Sequence, residues 1–123
     1  MSPPLGRILL YTRQIDEMAA FYATHFGYAA HTRPGDRITE LRPPATGGVT
    51  LMLHPLGKGQ KAGQVLVKLV FDVADVPAFC QAAAAKGLIF GKIHDADGYH
   101  FANARDPAQN PVQVSSRAFA APH

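Results

Sequence analysis

Arg7, Met52, Lys68 and Gln113 are the side chains of this 123-residue chain whose types and spacing bear most directly on chemistry. Lys68 follows Arg7, and Gln113 follows Met52, by the same interval (68 − 7 = 61; 113 − 52 = 61), and each lies in a short apolar segment that reads as a strand. Side chains alternate across an extended chain, so Arg7 shares a face with Leu9 and Tyr11, Met52 with His54, and Lys68 with Leu66, Val70 and Asp72. A duplicated unit that brings matching strands to one cavity brings two cations where water is scarce, and each is costly there without a counter-charge. The simplest complement is a small organic anion with a carboxylate on an apolar or aromatic body. Arg7 would clamp that carboxylate in two-pronged fashion, Lys68 would add a point charge, and Gln113 would orient a hydroxyl or carbonyl. Leu9, Tyr11, Met52, Leu66 and Val70 would form the walls, with His54 and Asp72 beside them. The competing reading is structural: the two cations pair with Asp72 or another acidic side chain of the chain itself.

The remaining reactive side chains give weaker signals. His94 and His100 flank a hairpin turn at a spacing that a metal can use, but turn-proximal histidines are commonly just solvated. His25 sits near a helix end, where a cation suits the dipole, and His31 reads as an exposed hairpin residue. The single cysteine, Cys80, rules out an intramolecular disulfide and multi-cysteine zinc patterns. Its place on an apolar helix stripe suits a buried, inert thiol.

Two segments position these residues. GRILLYTRQIDEMAAFYATHFGY, residues 6–28, reads as a strand running into an amphipathic helix, with Ile15, Met18, Ala19, Tyr22 and Phe26 on one stripe and Gly27 as its left-handed stop. Strands follow near 28–32, 37–41 and 49–54, with a turn at Pro34-Gly35-Asp36. The polar, Gly-rich stretch 57–63 suits a flexible connection; no Gly-Lys-Ser/Thr follows it, as a phosphate loop requires. The pattern then returns. VLVKLVFDV, residues 65–73, is a strand; Asp75 caps a helix whose stripe is Val76, Phe79, Cys80, Ala83 and Ala84; strands near 89–94 and 99–103 and at PVQVSS complete the set, and the tail from 118 frays. Each half is therefore strand, helix, three strands. About sixty residues with one helix cannot cover both sheet faces, so the halves are expected to pack with helices outside and a shared cavity within.

Composition narrows the function classes. A chain that is 47% hydrophobic and 17% charged can bury one real core, and its formal charge of +3 is spread over scattered Lys and Arg without the aromatic-interleaved basic run of a nucleic-acid surface. No apolar run is long enough for a membrane span, and the start MSPPLGR lacks a signal's hydrophobic stretch. The expectation is a cytoplasmic protein with neither nucleic acid nor membrane as partner.

Four features together resemble the vicinal oxygen chelate superfamily, which includes glyoxalase I, bleomycin-resistance proteins and extradiol dioxygenases: ILLYTRQIDEMAAFYATHFGY, LVFDVADVPAF, the DPAQNPVQV strand entry and the paired-module order. The resemblance covers residues 6–117. It implies an α+β fold of two tandem βαβββ modules, about 6–56 and 64–117, forming a curved mixed sheet with a central cavity and helices outside, all within one domain spanning 1–123. It also implies a homodimer. Metal-dependent members place His, Gln or Glu on the cavity face of the first and last strand of each module, positions that here hold Arg7, Met52, Lys68 and Gln113. A guanidinium has no lone pair to give, an ammonium must first lose its proton, and a thioether is too soft for the hard ions such sites use. The expectation is a small-molecule-binding protein of the bleomycin-resistance sort, holding no metal and no other cofactor. Its ligand set would be Arg7, Leu9, Tyr11, Met52, His54, Lys68, Asp72 and Gln113. The alternative is a lyase, isomerase or dioxygenase of the same superfamily, using a divalent metal ion held by residues off this register. His54, two positions beyond Met52, is the nearest substitute ligand.

Overall fold

A computed structural model describes residues 5–63 and 67–121. Val65 and Leu66, expected in a strand and, for Leu66, in a cavity wall, lie outside the described residues. The chain divides after Ala62 into two compact units.

In the N-terminal unit, β1 (Arg7–Thr12) leads into α1 (Ile15–Phe26), and β2 (Ala29–Thr32), β3 (Thr39–Arg42) and β4 (Thr50–Pro55) follow. The sheet order is β1-β4-β3-β2, with β1 and β4 parallel and the other pairs antiparallel. One sheet face carries Leu41, Leu51 and Leu53, which are fully or almost fully buried together with Met18 and Tyr22 of α1. The stripe expected of this helix is therefore the one that packs. Gly27 ends α1 at φ 73°, where its N–H reaches the Ala23 carbonyl; a side chain there would be strained. The start of α1 uses Thr12, whose hydroxyl oxygen accepts from the Gln14 N–H at 2.9 Å.

The C-terminal unit repeats this order with β5 (Leu69–Asp72), α2 (Val76–Ala85), β6 (His94–Asp95), β7 (His100–Arg105) and β8 (Pro111–Ser115). Its sheet runs β5-β8-β7-β6, again with the first pair parallel. Asp75 caps α2 as expected, accepting from the Ala78 N–H at 3.0 Å. Leu69, Val76, Ala83, Leu88, Ala102, Val112 and Val114 form the core. The 61-residue interval is visible in the ladders: Leu9 pairs with Met52 in the first sheet, and Val70 with Gln113 in the second.

Three local expectations change. The strand expected at 89–94 shrinks to His94–Asp95, with Ile89 71% exposed and the backbone of Gly91 tied instead to the Asn103 carbonyl at 2.9 Å. The connection at 57–63 has no regular element, but its first turn is held: Arg13 Nη2 donates to the carbonyls of Gly57 and Gln60 at 3.0 and 2.7 Å. The tail forms a 3-10 turn over Arg117–Phe119.

The turn at 106–110 is built on Asp106, which is only 2% exposed. Its carboxylate accepts from the backbone N–H groups of Ala108 and Asn110 and from the Asn110 side chain, each at 2.9 Å. Those bonds offset the cost of burying it. Gln109 beside it has φ 69°, the one non-glycine residue with positive φ among those described.

Candidate functional site

Each sheet has one face covered by its helix and one that is not, and alternation sorts the residues between them. In the N-terminal sheet the uncovered face carries Arg7, Leu9 and Tyr11 from β1, Met52 and His54 from β4, and Glu40 and Arg42 from β3. Met52 is the ladder partner of both Leu9 and Glu40, and His31 of β2 stands opposite Glu40. The Glu40 carboxylate bridges two guanidiniums: Arg7 Nη1 lies 3.3 Å from Oε2, and Arg42 Nε donates to Oε1 at 3.0 Å. The side chains of Arg7 and Arg42 are 52% and 50% exposed against 20% for Glu40, so the acid is tucked beneath two cations that face outward. The hydrogen bond from Arg42 holds the Glu40 carboxyl below its ordinary range, with further lowering from the charges of Arg7, Arg42 and Arg33. A concavity of about 320 Å³ opens here, lined by Arg7, Arg33, Arg42, His31, Glu40 and Met52 among others. Tyr11 and His54 meet edge to face at 5.2 Å, and His54 Nδ1 lies 2.8 Å from the Pro55 carbonyl oxygen.

The C-terminal sheet answers with different chemistry. Its uncovered face carries Lys68, Val70 and Asp72, with Gln113 and Asn103 alongside. Asn103 Oδ1 accepts from Lys68 Nζ at 3.0 Å and from Gln113 Nε2 at 2.9 Å. A concavity of about 630 Å³ includes Val70, Asp72, Tyr99, Phe101, Gln113 and Arg117. Arg117 lies over the Tyr99 ring at 5.5 Å from its centroid and donates to its hydroxyl.

The structure thus places Arg7, Leu9, Tyr11, Met52 and His54 together on one uncovered face, and Lys68, Asp72 and Gln113 together on the other. Arg7 takes a partner that sequence reasoning missed, Glu40, and Lys68 and Gln113 take Asn103. The signal was present. In TELR and in FANAR the polar residues alternate with apolar ones, Glu40 and Arg42 around Leu41 and Asn103 between Ala102 and Ala104.

The metal-ligand positions implied by the resemblance can be judged on their donors. Arg7 is in an ion pair, Lys68 and Gln113 share an amide oxygen, and Met52 offers a thioether. This set does not fit a hard divalent ion. Among the described residues, neither unit gathers three His, Cys, Asp or Glu side chains in a metal-binding group. His94 and His100 do not converge: the first pairs with Phe101 and stacks on its ring, while the second faces Asp95 at 2.5 Å, one residue on and therefore across the ladder. Burial pushes the Cys80 thiol up, away from the reactive thiolate. Among the described residues, no helix is long and apolar enough to cross a membrane.

Comparison with known proteins agrees with the topology. The family model described as Glyoxalase/Bleomycin resistance protein/Dioxygenase superfamily matches residues 5–114. No curated protein matches the chain. Among solved structures, UcmS2 aligns with a TM-score of 0.77 at 18% identity, over 94% of this chain and 99% of that one. TnmS3, an antibiotic binding protein from Streptomyces sp. CB03234, aligns at 0.74 and 17% identity over 92% and 94%. The oxidase ChaP-H2 aligns at 0.73 and 18% identity over 95% of each chain. At these identities the likeness is one of fold.

Proposed function

The chain belongs to the Glyoxalase/Bleomycin resistance protein/Dioxygenase superfamily, and on that premise we propose that it is a small-molecule-binding protein that holds a small organic carboxylate through its own side chains, without a metal ion. The observation that carries this reading is the donor set at the four matching strand positions. Arg7 in the N-terminal unit, and Lys68 with Gln113 in the C-terminal unit, each suit recognition of an organic anion, Arg7, Lys68 and Met52 are poor ligands for a hard cation, and each polar member is already oriented by a neighbour, Glu40 or Asn103. TnmS3, with the same fold, is an antibiotic binding protein, which supports binding as the activity of such a scaffold. We place the protein in the cytoplasm as a homodimer without nucleic-acid or membrane partners. The edge strand β2, exposed at all four residues, supports a second copy as its cover.

A thermal-shift comparison of matched acids and amides tests the binding reading, since a ligand of the native state raises the melting temperature by mass action. Aromatic monocarboxylates should stabilise the protein and their amides should not. Equal shifts from acid and amide would remove the anion reading. One equivalent of zinc, nickel, manganese or iron after purification without chelator would favour the metal-dependent lyase, isomerase or dioxygenase instead. Light scattering should give twice the 13.2 kDa of one chain.

A further inference from the structure

We infer that Glu40 sets how many negative charges the N-terminal concavity accepts, so that this face selects a monocarboxylate over a dicarboxylate. The inference rests on the anion-binding reading above and adds to it a location and a specificity residue. The chemistry is local to one unit. Arg7, Arg33 and Arg42 contribute three positive charges to the concavity, and Glu40 and Asp36 contribute two negative ones. Asp36 is occupied in its own turn, accepting from the Ile38 N–H at 3.0 Å. Glu40 is different. It lies between Arg7 and Arg42, engaging one nitrogen of each at 3.3 and 3.0 Å, and it is the least exposed of the three.

Two consequences follow from that geometry. A guanidinium offers five N–H donors in a fixed fork, so pairing with Glu40 through Arg7 Nη1 and Arg42 Nε leaves the outward nitrogens of both for an incoming oxyanion. Glu40 thereby orients the two forks. Its own charge also remains beneath the bound anion, and the three arginines set against Glu40 and Asp36 leave the lining one net positive charge, the complement of a single carboxylate. A second carboxylate on the ligand meets the repulsion of Glu40 after the first has used the single net positive charge, since Asp36 offsets Arg33 in the charge count of the lining. Met52 and Ile38 supply apolar contact for the organic body of the ligand.

Titrations with benzoate and phthalate, followed by the side-chain Nε–H signals of arginine in NMR spectra, test this. In the wild-type protein benzoate should shift the Arg7 and Arg42 signals saturably and bind at least as tightly as phthalate. Glu40→Gln keeps an oxygen acceptor for one guanidinium and removes the charge; it should raise affinity for both acids and shift the preference towards phthalate by about threefold or more, the size expected for one unit charge acting through water-like dielectric at a few ångströms. Arg42→Gln should weaken benzoate by a similar factor. A Glu40→Gln protein with unchanged preference overturns the inference. So does saturable benzoate binding whose shifts are confined to the neighbourhood of Lys68 and Gln113, although that result leaves the anion-binding reading standing. Absence of saturable benzoate binding to both wild type and Glu40→Gln also overturns it, while the wider acid and amide comparison tests the proposed function separately.

Discussion

The uncovered faces of the two sheets share a backbone plan and differ in what stands at one equivalent point. In each sheet the last strand runs between a parallel first strand and an antiparallel third strand. Opposite Met52 the third strand of the N-terminal sheet presents Glu40; opposite Gln113 the C-terminal sheet presents Asn103. A carboxylate between two arginines makes a charged rim with a net positive edge. An amide between a lysine and a glutamine puts an uncharged acceptor where the other sheet has a carboxylate, beside Tyr99, Phe101 and Arg117. Duplication has kept the ladder, and the residues it presents have diverged into a polar, arginine-rich concavity and a more aromatic one.

The helices differ in the same manner, and the largest predicted effect follows from that. Met18 and Tyr22 of α1 correspond at the 61-residue interval to Phe79 and Ala83 of α2, and Tyr22 is wholly buried. Tyr22→Ala should cost about 3–5 kcal/mol, read in chemical denaturation, and hydrogen exchange should show the N-terminal unit losing protection first. Comparable loss in the C-terminal unit would mean that the two halves do not open independently.

Asp106 has no counterpart in the N-terminal unit, where the interval falls on Ala45. Asp106→Ala strands two backbone N–H groups and should cost roughly 2–4 kcal/mol, with exchange accelerating around residues 106–110 and spreading into β8. Gln109→Gly in the same turn should do the opposite. It relieves a left-handed conformation in a residue with a Cβ and should raise stability by about 0.5–1 kcal/mol; a loss would show that the Gln109 side chain contributes contacts that outweigh the strain.

The smallest effect concerns pH and only the N-terminal face. Arginine holds the Glu40 pKa below its unfolded value. A depressed carboxylate contributes stability that is present above the unfolded pKa and is lost as pH falls through the folded one. The stability difference between wild type and Glu40→Gln should therefore be present at neutral pH and vanish in acid below the carboxylate range, as denaturation midpoints across that range will show. Asn103→Asp, which copies the N-terminal arrangement beside Lys68, should introduce a pH dependence of the same sign. A flat difference for Glu40→Gln would mean that the exposed pair with Arg7 and Arg42 is fully screened.

Much of this architecture was legible in the sequence because periodicity and end signals are local. Tyr22 and Met18 announce a helix stripe, Gly27 marks the end of α1 and Asp75 the start of α2, and the interval of 61 fixes equivalent strands. Which partner a polar strand residue takes is not local. Glu40 lies 33 positions from Arg7 in the chain and becomes its neighbour only once β3 pairs with β4 and β4 with β1. Asp72, the acidic candidate that strand alternation put on the same face as Lys68, is exposed. The strand expected at Ile89–His94 shrank for a related reason: an apolar run resembles a strand whether or not a ladder partner exists, and here Gly91 donates to the Asn103 carbonyl of β7 while regular pairing begins at His94.

In the proposed function a small organic acid is bound by protein side chains alone. Isothermal titration of benzoate into the purified protein, before and after exhaustive treatment with chelator, tests it most directly. Saturable binding with the same affinity is expected in both samples, weakened by Arg7→Gln. Binding that disappears with chelator and returns on adding one equivalent of a divalent ion would contradict it.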